Sequence, residues 1–283
     1  MRYRDFDDIS LLENIKNVEN MEVFFEKKDE KIKIFYDKFS PYVPYVLIEV
    51  SGSRKRAEID TGTLLTVIPE AIAEKIKVRK IGNIENFSTV SGISVKGYLG
   101  IIDFIKFSGV TFRNVPVAVM KSDKIILGNM VLSGLKEVII DKNYMEYGKD
   151  SFECRNKIIL SSKLGGYERN ILYDIFVNGV MQRAVIDTGM SATTLVHYKN
   201  KFSNAEERVS SETVASGVFG TEYLKFYKTN SVVDYRTFKV NNEDTMIIMQ
   251  DNHVFSSVIS AKILDKSSIY MNFLSGNVCL FQK

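Results

Sequence analysis

Two carboxylates in matching surroundings are the residues of this chain best suited to chemistry. Asp60-Thr61-Gly62 and Asp187-Thr188-Gly189 each end a segment that aligns with the other without a gap. Ile48, Val50, Gly52, Arg56, Ala57 and Ile59 of the first segment meet Ile175, Val177, Gly179, Arg183, Ala184 and Ile186 of the second. A lone Asp-Thr-Gly is usually only a turn, because Asp and Gly favour turns. Two copies inside aligned segments instead point to duplication of a unit that carries the Asp.

If the two copies pack about a pseudo-twofold axis, their turns meet and form a carboxyl dyad. Two carboxyl groups a few ångströms apart cannot both ionise readily, so they share one proton. One then acts as base toward a water between them, and the other as acid toward the carbonyl that this water attacks. The neighbouring residues suit that chemistry. Gly62 and Gly189 leave room for main-chain N–H groups to approach a carboxylate. Thr61 and Thr188 supply small hydroxyls able to bond across a symmetric interface.

The elements around each Asp read as β-structure. Leu64, Leu65, Val67 and Ile68 follow the first turn, and Thr193, Thr194, Leu195 and Val196 follow the second, as β-rich apolar segments that would wall a site. Residues 69–78 read as a helix with Pro at its first position. The repeat divides the chain into an N-terminal extension (1–43), lobe one (44–148), a connection (149–170) and lobe two (171–283). In the extension, residues 8–18 read as a short helix, and residues 23–25 with 32–36 as a hairpin.

With these residues in place the chain resembles the retropepsin and pepsin superfamily of aspartic peptidases, whose mark is a hydrophobic strand running into Asp-Thr-Gly. Ile126-Leu127-Gly128 resembles the family's second motif of two hydrophobics and a Gly, and Val138-Ile139-Ile140-Asp141 continues in family order. Lobe two has Val258-Ile259-Ser260 there, so Ser260 stands where the family usually has Gly, and its backbone is expected to avoid positive φ or bear strain. The resemblance implies a mainly β chain of two retropepsin-like barrel lobes related by a pseudo-twofold axis. It also implies an aspartic endopeptidase with catalytic Asp60 and Asp187, supported by Thr61, Gly62, Thr63, Thr188 and Gly189. The alternative is a peptide-binding pseudoprotease that keeps the cleft. Flap hairpins over a peptide or protein substrate are expected at residues 89–93, with Ser91 and Gly92, and 213–218, with Ser216 and Gly217. In pepsin-like members a hydroxyl residue after the Gly donates to its Asp; Thr63 has one and Met190 does not. This predicts that Asp60 is the ionised member and Asp187 the protonated one.

Composition bounds the rest. The chain has 283 residues, 45% of them hydrophobic, enough for two ordinary cores, and a net charge of +3 with no basic stripe for nucleic acid. Arg54, Lys55 and Arg56 read as a solvated turn in the hairpin leading to Asp60. The charged N-terminus lacks the apolar core of a signal peptide, and no long apolar run suggests a membrane span. Only Cys154 and Cys279 occur, which predicts reduced thiols and a cytoplasmic protein, with a Cys154–Cys279 bridge as the weaker alternative. His197 and His253 lack clustered partners, so no metal and no cofactor is expected. As an intramolecular pseudodimer the chain is expected to be a monomer.

Overall fold

The computed structural model describes residues 21–27, 30–88, 94–148, 158–159, 171–191, 193–198, 211–217, 220–248 and 257–282. The expected helix at residues 8–18, Cys154, His253 and the flap residues Ser91 and Gly92 lie outside them.

Alternating burial builds the two copies of the repeat in the same way. Tyr45–Val50 buries every second side chain, Val46, Ile48 and Val50, and Leu172–Val177 does the same with Tyr173, Ile175 and Val177. Each strand then reverses through two residues of positive φ, Ser51 (45°) and Gly52 (84°), or Asn178 (50°) and Gly179 (82°), the tight turn that matches strand twist. The returning strands, Ser53–Ile59 and Val180–Asp187, run to the two Asp residues. Arg54, Lys55 and Arg56 therefore lie on a strand, not in the turn as expected, and Arg56 pairs with Asp37 at 3.5 Å.

Each lobe closes into a barrel. In lobe one Val110–Met120 pairs in turn through Thr66–Pro69, Ile125–Leu127, Ser53–Ile59, Tyr45–Val50 and Ser94–Phe107, which pairs back to Val110–Met120. In lobe two Lys239–Ile248 leads through Leu195–Tyr198, Ser257–Ser260, Val180–Asp187, Leu172–Val177 and Gly220–Asp234 back to Lys239–Ile248. The correspondence is strand for strand. It includes two parallel pairings in each lobe, Ser53–Ile59 with Ile125–Leu127 and Val180–Asp187 with Ser257–Ser260 among them. The interiors are filled by β-branched and aliphatic residues such as Val46, Ile48, Ile59 and Val117 in lobe one and Ile175, Ile186, Leu195 and Ile259 in lobe two. Helix α1 (Glu70–Ile76) starts after Pro69, which caps it instead of occupying its first turn, and ends at Lys77 in the left-handed region. Helix α2 (Asn129–Gly134) follows Gly128.

A third sheet joins the lobes. Its order is Ile158–Ile159, Asn277–Gln282, Ser267–Asn272, Glu137–Ile140, Tyr144–Tyr147, Lys31–Lys33. One hairpin from the end of each lobe thus leaves its barrel, and the two meet along Glu137–Ile140 and Ser267–Asn272, with Val138 opposite Met271. The edge strands come from the segments read as connection and extension. The expected hairpin within the extension does not form, because Glu22–Phe25 pairs with Val110–Met120 of the first barrel while Lys31–Lys33 pairs with Tyr144–Tyr147. Ile32 and Ile34 are buried in the shared core.

Cys279 is disulfide-bonded, contrary to the expectation of reduced thiols, which removes the thiol argument for a reducing compartment. His197 is buried with Nδ1 2.6 Å from the Ser257 hydroxyl, and burial pushes its pKa down to about 3, so it is a neutral core residue. Among the described residues no helix is long and apolar enough to cross a membrane, and no group of three His, Cys, Asp or Glu is gathered to hold a metal ion.

Candidate active site

The two Asp-Thr-Gly turns, one from each barrel, meet at the interface between the lobes. Each turn first folds on itself: the Gly62 N–H donates to Asp60 Oδ1 at 2.7 Å, and the Gly189 N–H donates to Asp187 Oδ1 at 2.9 Å. A main-chain donor two residues on fixes the orientation of each carboxyl.

The threonines lock one turn to the other. The Thr61 N–H donates to Thr188 Oγ1 and the Thr188 N–H to Thr61 Oγ1, both at 3.1 Å. The hydroxyls in turn donate to main-chain carbonyls of the opposite lobe, Thr61 to Ile186 at 2.7 Å and Thr188 to Ile59 at 2.6 Å. Both threonines are fully buried, so these bonds satisfy groups that water cannot reach.

The glycines bring the carboxyls together. A Cβ at Gly62 would lie 2.6 Å from Asp187 Cγ, and one at Gly189 would lie 2.5 Å from Asp60 Cγ. Each glycine is therefore the seat on which the other lobe's carboxyl rests, and no side chain fits at either place. A hydrogen bond links the two carboxyl groups.

Burial and mutual repulsion make the pair hold a proton. Burial, then the charge of Asp187, raises the Asp60 pKa well above the ordinary carboxylate range, against the lowering effect of the Gly62 N–H. Burial also raises Asp187, against the hydrogen bond from Asp60 and the N–H of Gly189, which favour its ionised form. The two carboxyls therefore share one proton between them. The sequence expectation that Asp60 is the ionised member relies on Thr63, whose hydroxyl turns away to the Leu65 carbonyl at 3.5 Å.

The second motifs brace both turns from behind. The Asn129 N–H donates to the Thr63 carbonyl at 2.9 Å, and the Ala261 N–H to the Met190 carbonyl at 3.0 Å, so Gly128-Asn129 corresponds to Ser260-Ala261. Gly128 (φ −88°, ψ 174°) and Ser260 (φ −81°, ψ 172°) are both extended, so Ser260 bears no strain. Asn129, missed by the sequence reading, is buried and donates its side-chain amide to the Thr61 carbonyl at 2.8 Å. Its signal was a polar residue between Gly128 and the apolar Met130, Val131 and Leu132.

The expected flaps fall on hairpins. In lobe one Arg79–Ser88 and Ser94–Phe107 pair up to Ser88 opposite Ser94, and the tip lies outside the described residues. In lobe two Ser211–Gly217 pairs with Gly220–Asp234, with Ser216 opposite Thr221 and Gly217 opposite Gly220, so both predicted residues flank the tip.

The profile of the aspartyl protease family matches residues 46–131, which span the Asp60 turn and the Gly128 motif. Among solved structures, a retropepsin-like aspartic protease from Rickettsia conorii is similar at 19% identity, over 45% of this chain and 94% of that one, with a TM-score of 0.32. The chain matches no curated protein by sequence.

Proposed function

We propose that this chain, a two-lobed member of the retropepsin-like aspartic peptidase superfamily, is an endopeptidase that hydrolyses peptide bonds with a water held between Asp60 and Asp187. The observation that carries the reading is the crossed packing of the turns: each carboxyl rests on the other lobe's glycine, and the two share a hydrogen bond. Such packing gives one carboxylate and one carboxylic acid on the same small volume, which is what activating a water and protonating a carbonyl together requires.

In the proposed reaction, ionised Asp187 takes a proton from the water as its oxygen bonds to the carbonyl carbon. Asp60 gives its proton to the carbonyl oxygen, and a neutral tetrahedral diol results. The proton gained by Asp187 then passes to the amide nitrogen, the C–N bond breaks, and one hydroxyl returns its proton to Asp60. No covalent bond to the protein forms. The paired hairpins Arg79–Ser88 with Ser94–Phe107 and Ser211–Gly217 with Gly220–Asp234 are suited to cover an extended peptide and bond its main chain. Because one chain supplies both turns, the proposed enzyme works as a monomer.

Mass-spectrometric cleavage mapping of a complex peptide library from about pH 4 to 7.5 tests the proposal. Cleavage by the wild type that is lost in both Asp60→Asn and Asp187→Asn is the expected result. Cleavage that survives either substitution would refute the dyad, and binding without cleavage by the wild type would leave a peptide-binding module.

A further inference from the structure

The two turns repeat each other closely, yet one buried side chain breaks the repeat. In lobe one the residue after the second motif's Gly is Asn129, whose amide donates to the Thr61 carbonyl at 2.8 Å; in lobe two it is Ala261, whose methyl cannot donate. The Thr61 carbonyl belongs to the same peptide group as the Gly62 N–H, and that N–H donates to Asp60 Oδ1 at 2.7 Å, against 2.9 Å for Gly189 and Asp187. A donor on a peptide oxygen polarises the group and makes its N–H a stronger donor.

We infer that Asn129 is a positioning residue for the dyad, acting on Asp60 through the Thr61–Gly62 peptide and on that lobe alone. Its role is chemical as well as structural. In the proposed reaction Asp60 gives its proton to the substrate, and a stronger N–H at Oδ1 stabilises the carboxylate left behind. It also commits Oδ1 as acceptor, so the proton sits on the other oxygen of Asp60. The charged groups facing Asp60 act the other way or are neutralised: Asp187 raises its pKa, and Glu58, two residues back on the same strand, does so weakly and is paired with Lys124 at 2.6 Å. Asn129 thus offsets part of the burial that would make Asp60 too weak an acid.

The inference deepens the peptidase reading and rests on it for its catalytic meaning, so the test reads titration directly as well as turnover. In the wild type, carbon NMR should place the Thr61 carbonyl downfield of the Thr188 carbonyl; equal shifts, or the reverse order, overturn the inference without any variant. In Asn129→Ala and Asn129→Leu, the Asp60 carboxyl should titrate higher by roughly 0.2–0.5 pH units, a tenth to a third of one hydrogen bond. The alkaline limb of the pH profile of kcat/KM should move with it, whereas a purely structural loss would lower activity at every pH without moving the limb. An unmoved titration in a folded variant overturns the inference even if the wild type cleaves peptides. A moved titration in a protein that cleaves none sustains it and sinks the peptidase reading instead.

Discussion

Thr61 and Thr188, 127 positions apart, hold each other by reciprocal bonds of equal length, 3.1 Å from each amide to the other's hydroxyl. Each hydroxyl accepts from one lobe-crossing N–H and donates to a carbonyl, so deleting it orphans two buried groups. Thr61→Val or Thr188→Val should therefore cost about 2–5 kcal/mol, while Thr→Ser at either place keeps both bonds and should cost about 1 kcal/mol for the lost methyl. Urea unfolding of the four variants decides this. Equal losses for Val and Ser would mean that packing, not the hydrogen bonds, joins the turns.

Gly62 and Gly189 give a prediction about geometry more than stability. A methyl at either would sit 2.5–2.6 Å from the opposite carboxyl carbon, well inside contact distance. Gly62→Ala should displace Asp187, and Gly189→Ala should displace Asp60, each lowering kcat/KM by about 100-fold or more, the usual result of moving a catalytic group by an ångström. Near-normal turnover in either variant would show that the dyad tolerates separation.

The raised pKa of Asp60 has a consequence for stability that can be read without a substrate. A carboxyl whose pKa is higher folded than unfolded favours the folded state fully below the unfolded value, near 3.9. That advantage is lost as pH rises through the folded value, at about 1.4 kcal/mol per pH unit between the two. Asp60→Asn removes the titration. The variant should be more stable than the wild type at pH 7, and the difference should shrink toward pH 3. Thermal melts across that range measure it, and a difference that stays flat with pH would contradict the raised pKa. Activity should fall on the alkaline side for the same reason, as the acid is lost.

Local pattern made much of this molecule legible. The recurrence of Ile, Val, Gly, Arg, Ala and Ile in two segments that end in Asp-Thr-Gly, all near neighbours in the chain, points to a duplicated unit whose turns meet, and the resemblance those motifs carry implies the two barrels. What stayed illegible depends on partners far apart in sequence. That Val138, Ile139 and Ile140 pair with Met271, Tyr270 and Ile269 of the other lobe cannot be seen in either segment alone. Residues 23–25 and 32–36 look like a hairpin because nothing local says that Val23 pairs with Phe112 and Lys33 with Tyr144. The Thr63 hydroxyl is visible in the sequence, but that it turns to the Leu65 carbonyl and not to Asp60 is fixed by the fold.

The segment around Ile32 bears on whether the N-terminal region can act as a removable inhibitor. Ile32 and Ile34 are about 5% exposed or less, and Lys31 pairs with the buried Glu146 at 2.8 Å. Ile32→Ala and Ile34→Ala should each cost about 2–4 kcal/mol, as for any large core residue. Cutting the chain back to Tyr36 should then unfold the protein and not activate it. Faster cleavage by that truncated form would show that the strand Lys31–Lys33 is dispensable and that the N-terminal region holds the site inactive.

Gly128 and Ser260 occupy the same place in the two lobes with the same extended backbone, so conformational freedom does not explain why one is Gly. Space does. A Cβ at Gly128 would lie 2.5 Å from the Leu65 carbonyl oxygen and 2.6 Å from its carbon, both main-chain atoms that cannot swing aside. In lobe two the Ser260 hydroxyl fills the corresponding space, donating to the Thr193 carbonyl and accepting from the Lys262 N–H. The two sites should therefore respond differently to exchange. Gly128→Ser forces the strand-to-helix junction away from Leu65, at a cost of about 1–3 kcal/mol for overpacking, and drags the Thr63 carbonyl that Asn129 braces, so turnover should fall with it. Ser260→Gly loses two hydrogen bonds but no packing of the backbone, about 1–2 kcal/mol, and should leave the position of Asp187 and the pH profile unchanged. Equal loss of turnover in the two variants would mean that the hydroxyl, like the missing Cβ, sets the position of its Asp.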